Sequence, residues 1–383
     1  MKPPLKKLGD LVGILSGYAF DSQYFNESIG LKLIRIRDII RGYSNTCYSG
    51  QYEEKYIVNK GDMLISMDGE FNITKWEGAP ALLNQRVCKI DVTDKQLNKN
   101  YLLYFLPQQL KMIENVTPFV TVKHLSVKKI NEIEIPLPSL TEQKNIINQL
   151  ETVDKVLSLR NKTVLKLNEL AHSMFEDIFG NPINNDKKWP TLKLGGLVKK
   201  IGSGATPRGG SSSYKSKGIS LIRSLNVHDG IFKLKKLAFI DEEQALKLSN
   251  VKVEKNDILL NITGASVARV CTVPESVLPA RVNQHVMIIR PKTNLNPIFL
   301  ERLFLNSEIK KKLFLIAGSG ATREAITKMT MENFEMIVPP IEVQNDFANK
   351  FKNLKYLENN TLLHLNKTNN LSLSLKHKLF PLN

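Results

Sequence analysis

Four blocks of hydroxyl, amide and cationic side chains, each placed among glycines or beside an apolar run, are the parts of this sequence equipped for chemistry. The first holds Ser16, Tyr18, Ser22 and Tyr24 in one stretch and Thr206, Arg208, Ser211 and Tyr214 in another. The second follows an apolar run, with Asn72 and Lys75 in one copy and Thr263, Ser266 and Arg269 in the other. The third places Thr121, Lys123 and His124 opposite Thr322 and Arg323, and the fourth sets Asn84-Gln85-Arg86 opposite Asn283-Gln284-His285. Arg35 and Arg223 stand at the ends of strand-like runs. Such groups donate to phosphate oxygens and pair with base edges. Polar tips after a buried strand are also where recognition groups usually sit. Each block has a plainer alternative as a solvated turn. For Asn84 and Asn283 the alternative is a bond to the neighbouring backbone, and for the arginines a structural ion pair.

Catalytic patterns point elsewhere. The sequence has no Gly-x-x-x-x-Gly-Lys-Ser/Thr phosphate loop, Gly-x-Ser-x-Gly elbow or His-Glu-x-x-His helix. Asn181-Pro182-Ile183 is not the Asn-Pro-Pro-aromatic run of amino-methylating enzymes, and Glu53-Glu54-Lys55 is too common a tripeptide to mark a nuclease. The six histidines lack metal-ligand spacing. The expectation is a non-enzyme with no catalytic residues, no metal and no cofactor of its own. Cys47, Cys88 and Cys271 are odd in number and far apart, which suits reduced thiols in the cytoplasm. No apolar run is long enough to cross a bilayer, and the first residues lack a signal-peptide pattern. The formal charge of +17 favours a polyanionic partner. Residues 1–180 carry 23 basic and 21 acidic side chains and residues 181–383 carry 31 and 16, so the excess lies in the second half.

The elements that must position these groups repeat once along the 383 residues. Leu5–Val12 returns as Leu192–Val198, Gly30–Arg35 as Gly218–Arg223, and Lys60–Ile65 as Lys255–Leu260. Asn84–Val87 returns as Asn283–Val286, and Ile135–Pro138 with Glu142-Gln143 returns as Val338–Pro340 with Gln344. Lys32–Ile36, Met63–Ser66, Val87–Ile90, Ile258–Ile262 and Val286–Arg290 read as strands. Lys99–Glu114 and its counterpart Pro297–Phe314 read as helices. Each copy then passes a proline-marked stop into a long helix.

Ser139 or Thr141, with Glu142, supplies the first long helix with a start signal. Ile146, Leu150, Val153, Leu157, Val164, Leu167, Ala171 and Met174 then alternate steps of four and three, interrupted at Arg160, as in a coiled coil. A helix from about 140 to 175 would be about 54 Å long. The second copy shows Phe347, Phe351, Leu354, Leu357, Leu362, Leu365, Leu371 and Leu375, whose spacing drifts as a stutter would. The expected division is a recognition domain over 1–138, a helix over 139–180, a second domain over 181–340 and a second helix over 341–383. The fold class is α+β: two mixed α/β domains joined by two long helices in an antiparallel coiled coil, with a pseudo-two-fold internal repeat.

Across nearly its whole length the chain resembles the specificity subunit of type I restriction-modification systems. The carriers are Thr206-Pro207 with Tyr214 and Ile219–Arg223, then Gly61–Ser66 with Gly69-Glu70, Asn283–Val286, and Ile135–Gln143 opening the heptad helix. The first copy lacks a Thr-Pro in its opening loop, and Val343 stands where the first copy has Glu142. The resemblance implies two target-recognition domains, each reading one half of a bipartite site in double-stranded DNA, with the helices fixing the gap. It also implies two docked methyltransferase subunits that use S-adenosylmethionine, and restriction subunits that join them. The specificity module of another restriction-modification type, or a coiled-coil nucleic-acid-binding protein, are the alternatives.

Overall fold

A computed structural model of the protein describes residues 3–118, 122–318 and 325–380. The chain forms two compact units, Met1–Asn161 with Leu363–Asn383, and Lys162–Leu362.

The first unit is built on two sheets. One has strand order Val12–Ser16, Val87–Val92, Met63–Ser66, Ile73–Lys75, all antiparallel. The other has order Phe25–Asn26, Cys47–Tyr48, Leu31–Ile34, Ala81–Leu83, Ile57–Val58, with Leu31–Ile34 and Ala81–Leu83 parallel. Met63, Leu64 and Ile65 are all fully buried, because the first sheet has a core on either side. A strand covered on both faces reads as a continuous apolar run, which is why this one is visible in the sequence. The helix Lys99–Val116 closes one core, two residues beyond its expected end. The strand expected over Lys32–Ile36 stops at Ile34. There the Asp38 carboxylate accepts the Arg35 N–H at 2.9 Å and starts the short helix Ile36–Arg41.

The second unit repeats the plan. Its first sheet runs Val198–Ser203, Val286–Pro291, Ile258–Asn261, Val270–Thr272. Its second runs Ala238–Ile240, Ile219–Ile222, Ala280–Val282, Lys252–Val253, again with one parallel pair at the centre. The single helix expected over Pro297–Phe314 is two, Pro297–Leu305 and Ser307–Gly318. Asn306 leaves the helical region at ψ 137 and its side chain accepts the Glu308 N–H at 3.0 Å, capping the next helix.

The long helices span Leu140–Phe179 and Ile341–Leu379. The first starts on a reciprocal cap: Ser139 N–H donates to Glu142 Oε2 at 2.9 Å, and Glu142 N–H donates to Ser139 Oγ at 3.3 Å. In the first unit the start of one helix, with Ile147 and Leu150, shares a core with Phe380 at the end of the other. In the second unit Phe175 and Phe179 pack on Phe347, 5.6 and 5.1 Å between ring centres. The pairing is therefore antiparallel within each unit. Ile146, Val153, Leu157, Val164, Leu167, Leu354 and Leu365 are half-buried, as the seam requires, and Phe347 and Phe351 are buried.

The stutter in the second helix is not there. Leu357, Leu362 and Leu371 are 51%, 38% and 58% exposed. The inward positions are Phe347, Phe351, Leu354, Glu358, Thr361, Leu365, Thr368, Ser372, Leu375 and Leu379, unbroken steps of four and three. Polar side chains hold the middle of a regular seam. Arg160 belongs there too, donating to the His364 carbonyl at 2.7 Å and to the Thr368 hydroxyl.

Candidate nucleic-acid interface

In the first unit three chain segments meet at Asp68, just past the buried strand Met63–Ser66. Met67 N–H donates to the Arg86 carbonyl at 3.0 Å, and Leu125 N–H donates to the Met67 carbonyl at 2.7 Å. These main-chain bonds bring Arg86 and His124 to the same tip. One Asp68 oxygen is ion-paired with Arg86 Nη1 at 3.0 Å, and the other accepts from His124 Nδ1 at 2.6 Å. The Asp68 side chain is 14% exposed, whereas those of Arg86 and His124 are 53% and 57% exposed. A shielded carboxylate thus carries two solvent-facing donors.

The second unit makes the same backbone crossing with other side chains. Ile262 N–H donates to the His285 carbonyl at 3.0 Å, and Ile326 N–H donates to the Ile262 carbonyl at 2.9 Å. Thr263 stands in the place of Asp68, His285 in that of Arg86 and Ala325 in that of His124. Thr263 Oγ1 lies 2.6 Å from His285 Nδ1, and His285 Nε2 lies 3.1 Å from Gln284 Nε2. The Thr206 hydroxyl donates to Gln284 Oε1, so the opening loop joins this chain of bonds.

Several other expected residues gather round these tips. Arg35, Arg37, Asn84, Gln85 and Arg86 line an open cavity of about 300 Å³. Tyr18 is exposed and bridges the chain at Asn84, and Ser16 ends the neighbouring strand. Asn84 and Asn283 each hold a backbone N–H of their own turn through the side chain, which is the plainer of their two readings. At Gly17 and Gly204 the missing side chain makes room for the chain's own backbone. A Cβ there would fall 2.0 Å from the Asn84 carbonyl oxygen and 1.7 Å from that of Val282.

Others lie apart or are already engaged. Lys75 pairs with Met63, at the far end of the hairpin from Asp68. Asn72 closes its own loop, its N–H donating to Ser66 Oγ at 2.7 Å. Ser22 and Tyr24 sit on an exposed turn at the edge of the second sheet, Tyr24 packing edge-on against Tyr48. Lys123 Nζ donates to the Glu114 carbonyl at 2.6 Å, where the end of a helix favours a cation. Arg223 stacks over Tyr214 at 5.2 Å and donates to the Lys236 carbonyl, so this pair is structural. Arg208 and Ser211 are exposed on their loop, and Ser266 and Arg269 are half-buried at the second hairpin tip. Thr121, Thr322 and Arg323 lie outside the described residues. The consecutive lysines Lys310, Lys311 and Lys312 are also engaged: Lys310 pairs with Asp229, Lys311 with Glu308, and Lys312 lies 4.7 Å over the Phe334 ring.

Of the residues that brace the frame, Gln143, Gln344, Asp62 and Asp257 stand in the repeated blocks, whereas no motif marks Glu114 or Glu301. Gln143 is fully buried; its amide donates to the Gln96 and Pro138 carbonyls and accepts the Asn98 N–H at 2.8 Å. Gln344 does the same against Asn296 and Pro339. Each glutamine locks a long helix to the helix of its own unit. Glu114 accepts the Phe71 N–H at 3.0 Å, and Glu301 accepts the Thr272 N–H at 2.5 Å, anchoring the two hairpins alike. Burial raises the Glu114 carboxyl, but Lys111 and the Phe71 N–H outweigh it and hold it below the usual range. Asp257, wholly buried, takes Arg290 at 2.7 and 2.9 Å, whereas its counterpart Asp62 meets Lys89 at 3.7 Å. Burial pushes the Cys88 thiol up to about 12, which leaves it inert as a nucleophile. Among the described residues no cluster of His, Cys, Asp or Glu has the makings of a metal site.

The type I restriction modification DNA specificity domain matches residues 5–169 and again 186–371. The chain belongs to the type I restriction-modification specificity-subunit family. The EcoBI specificity subunit of Escherichia coli is 31% identical, over 97% of this chain and 84% of its own length. The MjaVIII specificity subunit of Methanocaldococcus jannaschii is 22% identical, over 90% and 80%. The type I system S subunit from M. genitalium has the same fold at TM-score 0.60, with 15% identity and full coverage of both chains. A subunit from a study of type I complex assembly and conformational transition reaches 0.62, with 18% identity over 99% and 97%. As a specificity subunit the chain is the non-catalytic, DNA-recognising component of a restriction-modification assembly. No helix among the described residues is long and apolar enough to cross a membrane.

Proposed function

We propose that this specificity subunit reads a bipartite site in double-stranded DNA, one half by each unit, and that its long helices set the gap while docking two methyltransferase subunits. The observation that carries this is the pair of tips at Asp68 and Thr263: one backbone crossing, built twice, with two different sets of outward side chains. Two copies of one reader with unlike heads suit two unlike half-sites. The recognition domains extend over 1–138 and 181–340 and the spacer helices over 139–180 and 341–383. The methyltransferase subunits hold the S-adenosylmethionine; this chain holds no cofactor. ATP-dependent restriction subunits can join the same assembly, which works in the cytoplasm.

Ser16, Tyr18, Arg35, Arg86 and His124 in the first unit, and Thr206, Arg208, Thr263 and His285 in the second, make the DNA-facing set. The test is to express the chain with the modification subunits encoded beside it and to map methylated adenines by long-read sequencing. One bipartite motif, methylated on both strands across a fixed gap, is the expected result. Methylation that ignores the presence of the chain would overturn the reading.

A further inference from the structure

We infer that Arg86 reads a guanine in the half-site met by the first unit, with Asp68 and His124 positioning it. This rests on the reading of the chain as a DNA specificity subunit and adds the base.

The argument begins with what Asp68 does to Arg86. A free surface arginine spreads over many rotamers and loses that freedom on binding. Here the guanidinium is ion-paired, Nη1 at 3.0 Å, to a carboxylate that is itself largely shielded from solvent. The carboxylate is fixed in turn, by the 2.6 Å bond from His124 and by the Gly69 N–H, which donates to the Lys123 carbonyl at 2.9 Å. Because a carboxylate only accepts, His124 Nδ1 carries the proton in that bond. The head of Arg86 is therefore kept at the tip before any DNA arrives.

The same ion pair changes what Arg86 has to offer. Paired with Asp68, it supplies little net charge to attract phosphates. Its unused N–H donors keep their planar fork, which suits two acceptors side by side. Guanine N7 and O6 form such a pair in the major groove; adenine shows an acceptor and a donor, cytosine a donor, and thymine one acceptor and a methyl group. Arg35, exposed across the same cavity, is the cation left for phosphate, since Arg37 already lies 3.8 Å from the Asp38 carboxylate. In the second unit His285 and Ala325 occupy the equivalent places. The guanine requirement set by this fork belongs to one half-site only.

The test maps methylation with the wild-type chain and with Arg86→Ala, each expressed with its modification subunits. In the expected result one half of the wild-type motif contains a G·C pair that becomes degenerate in Arg86→Ala, while the other half stays unchanged and certifies folding. The purified complex is then titrated with a duplex carrying the motif. 7-Deazaguanine at that position, which lacks N7, should weaken wild-type binding about 10- to 100-fold and leave Arg86→Ala indifferent. Asp68→Asn should lose part of the discrimination while steepening the salt slope, because the Arg86 charge is no longer paired. A motif unaltered by Arg86→Ala, relaxation at an A·T pair, or a wild-type complex indifferent to 7-deazaguanine would overturn the inference. If the wild-type chain directs no bipartite motif, the failure lies with the specificity-subunit reading instead.

Discussion

At the tip of the first unit a carboxylate holds an arginine and a histidine, whereas at the matching tip of the second a threonine hydroxyl meets a histidine backed by an amide. Beneath both run the same two main-chain hydrogen bonds. The contrast separates what builds the tip from what the tip presents. Backbone groups, buried glutamines and hairpin-anchoring glutamates recur in both units; the outward chemistry does not. One level below, the order reverses. The second unit buries a two-point Asp257–Arg290 pair where the first has only a 3.7 Å Asp62–Lys89 approach. The second unit thus has the more strongly tied base and the first the more charged tip.

The largest effect should come from that base. Asp257→Ala leaves the mostly buried Arg290 with only the half-exposed Glu254 as a carboxylate partner and should cost about 3 kcal/mol in urea unfolding. Asp62→Ala, facing a looser lysine pair, should cost about 1 kcal/mol; equal losses would remove this half of the comparison. Next, Gln143→Ala and Gln344→Ala should each cost about 1–3 kcal/mol, because each orphans a helix-start N–H and the carbonyl of a preceding proline. Near-equal losses would sharpen the claim of a shared frame, and a several-fold difference would break it. A smaller effect belongs to salt. Arg35→Ala should lower the slope of log K against log salt by about 0.9, the value of one phosphate contact. Lys123→Ala and Lys311→Ala, whose ammonium groups already have partners, should change it by less. The smallest is the acid response of Glu114. Its carboxyl is held below the usual range, so its stabilisation is full above the ordinary glutamate value and lost as pH falls through the depressed one. Glu114→Gln should flatten that acid limb in a pH series of unfolding midpoints.

Much of the frame was legible because the repeated blocks contain the residues that shape the backbone. Asp62, Asn84 and Gln143 each hold main-chain groups, and each recurs with its counterpart. Met63–Ser66 was plain because a strand buried on both faces has no alternation to misread. The second helix was misread for the opposite reason. Glu358 and Ser372 face inward while Leu357, Leu362 and Leu371 face out, so hydrophobicity marked the wrong stripe. Two-residue strands such as Cys47–Tyr48 are too short to carry a period. At the tip, Arg86 and His124 were named but Asp68, which joins them, was not. Its bond to His124 crosses 56 residues of chain, and no local spacing encodes such a meeting.

The main-chain bonds at Met67 and Ile262 bear on how such a protein changes over generations. Because backbone atoms close the crossing, replacing an outward side chain there costs little folding free energy. Mutations at positions 68, 86 and 124, or 263, 285 and 325, are therefore exposed to selection mainly through the DNA word they alter. On the proposed bipartite reading, drift can rewrite one half-site while the other, and the subunit's ability to fold, are inherited intact.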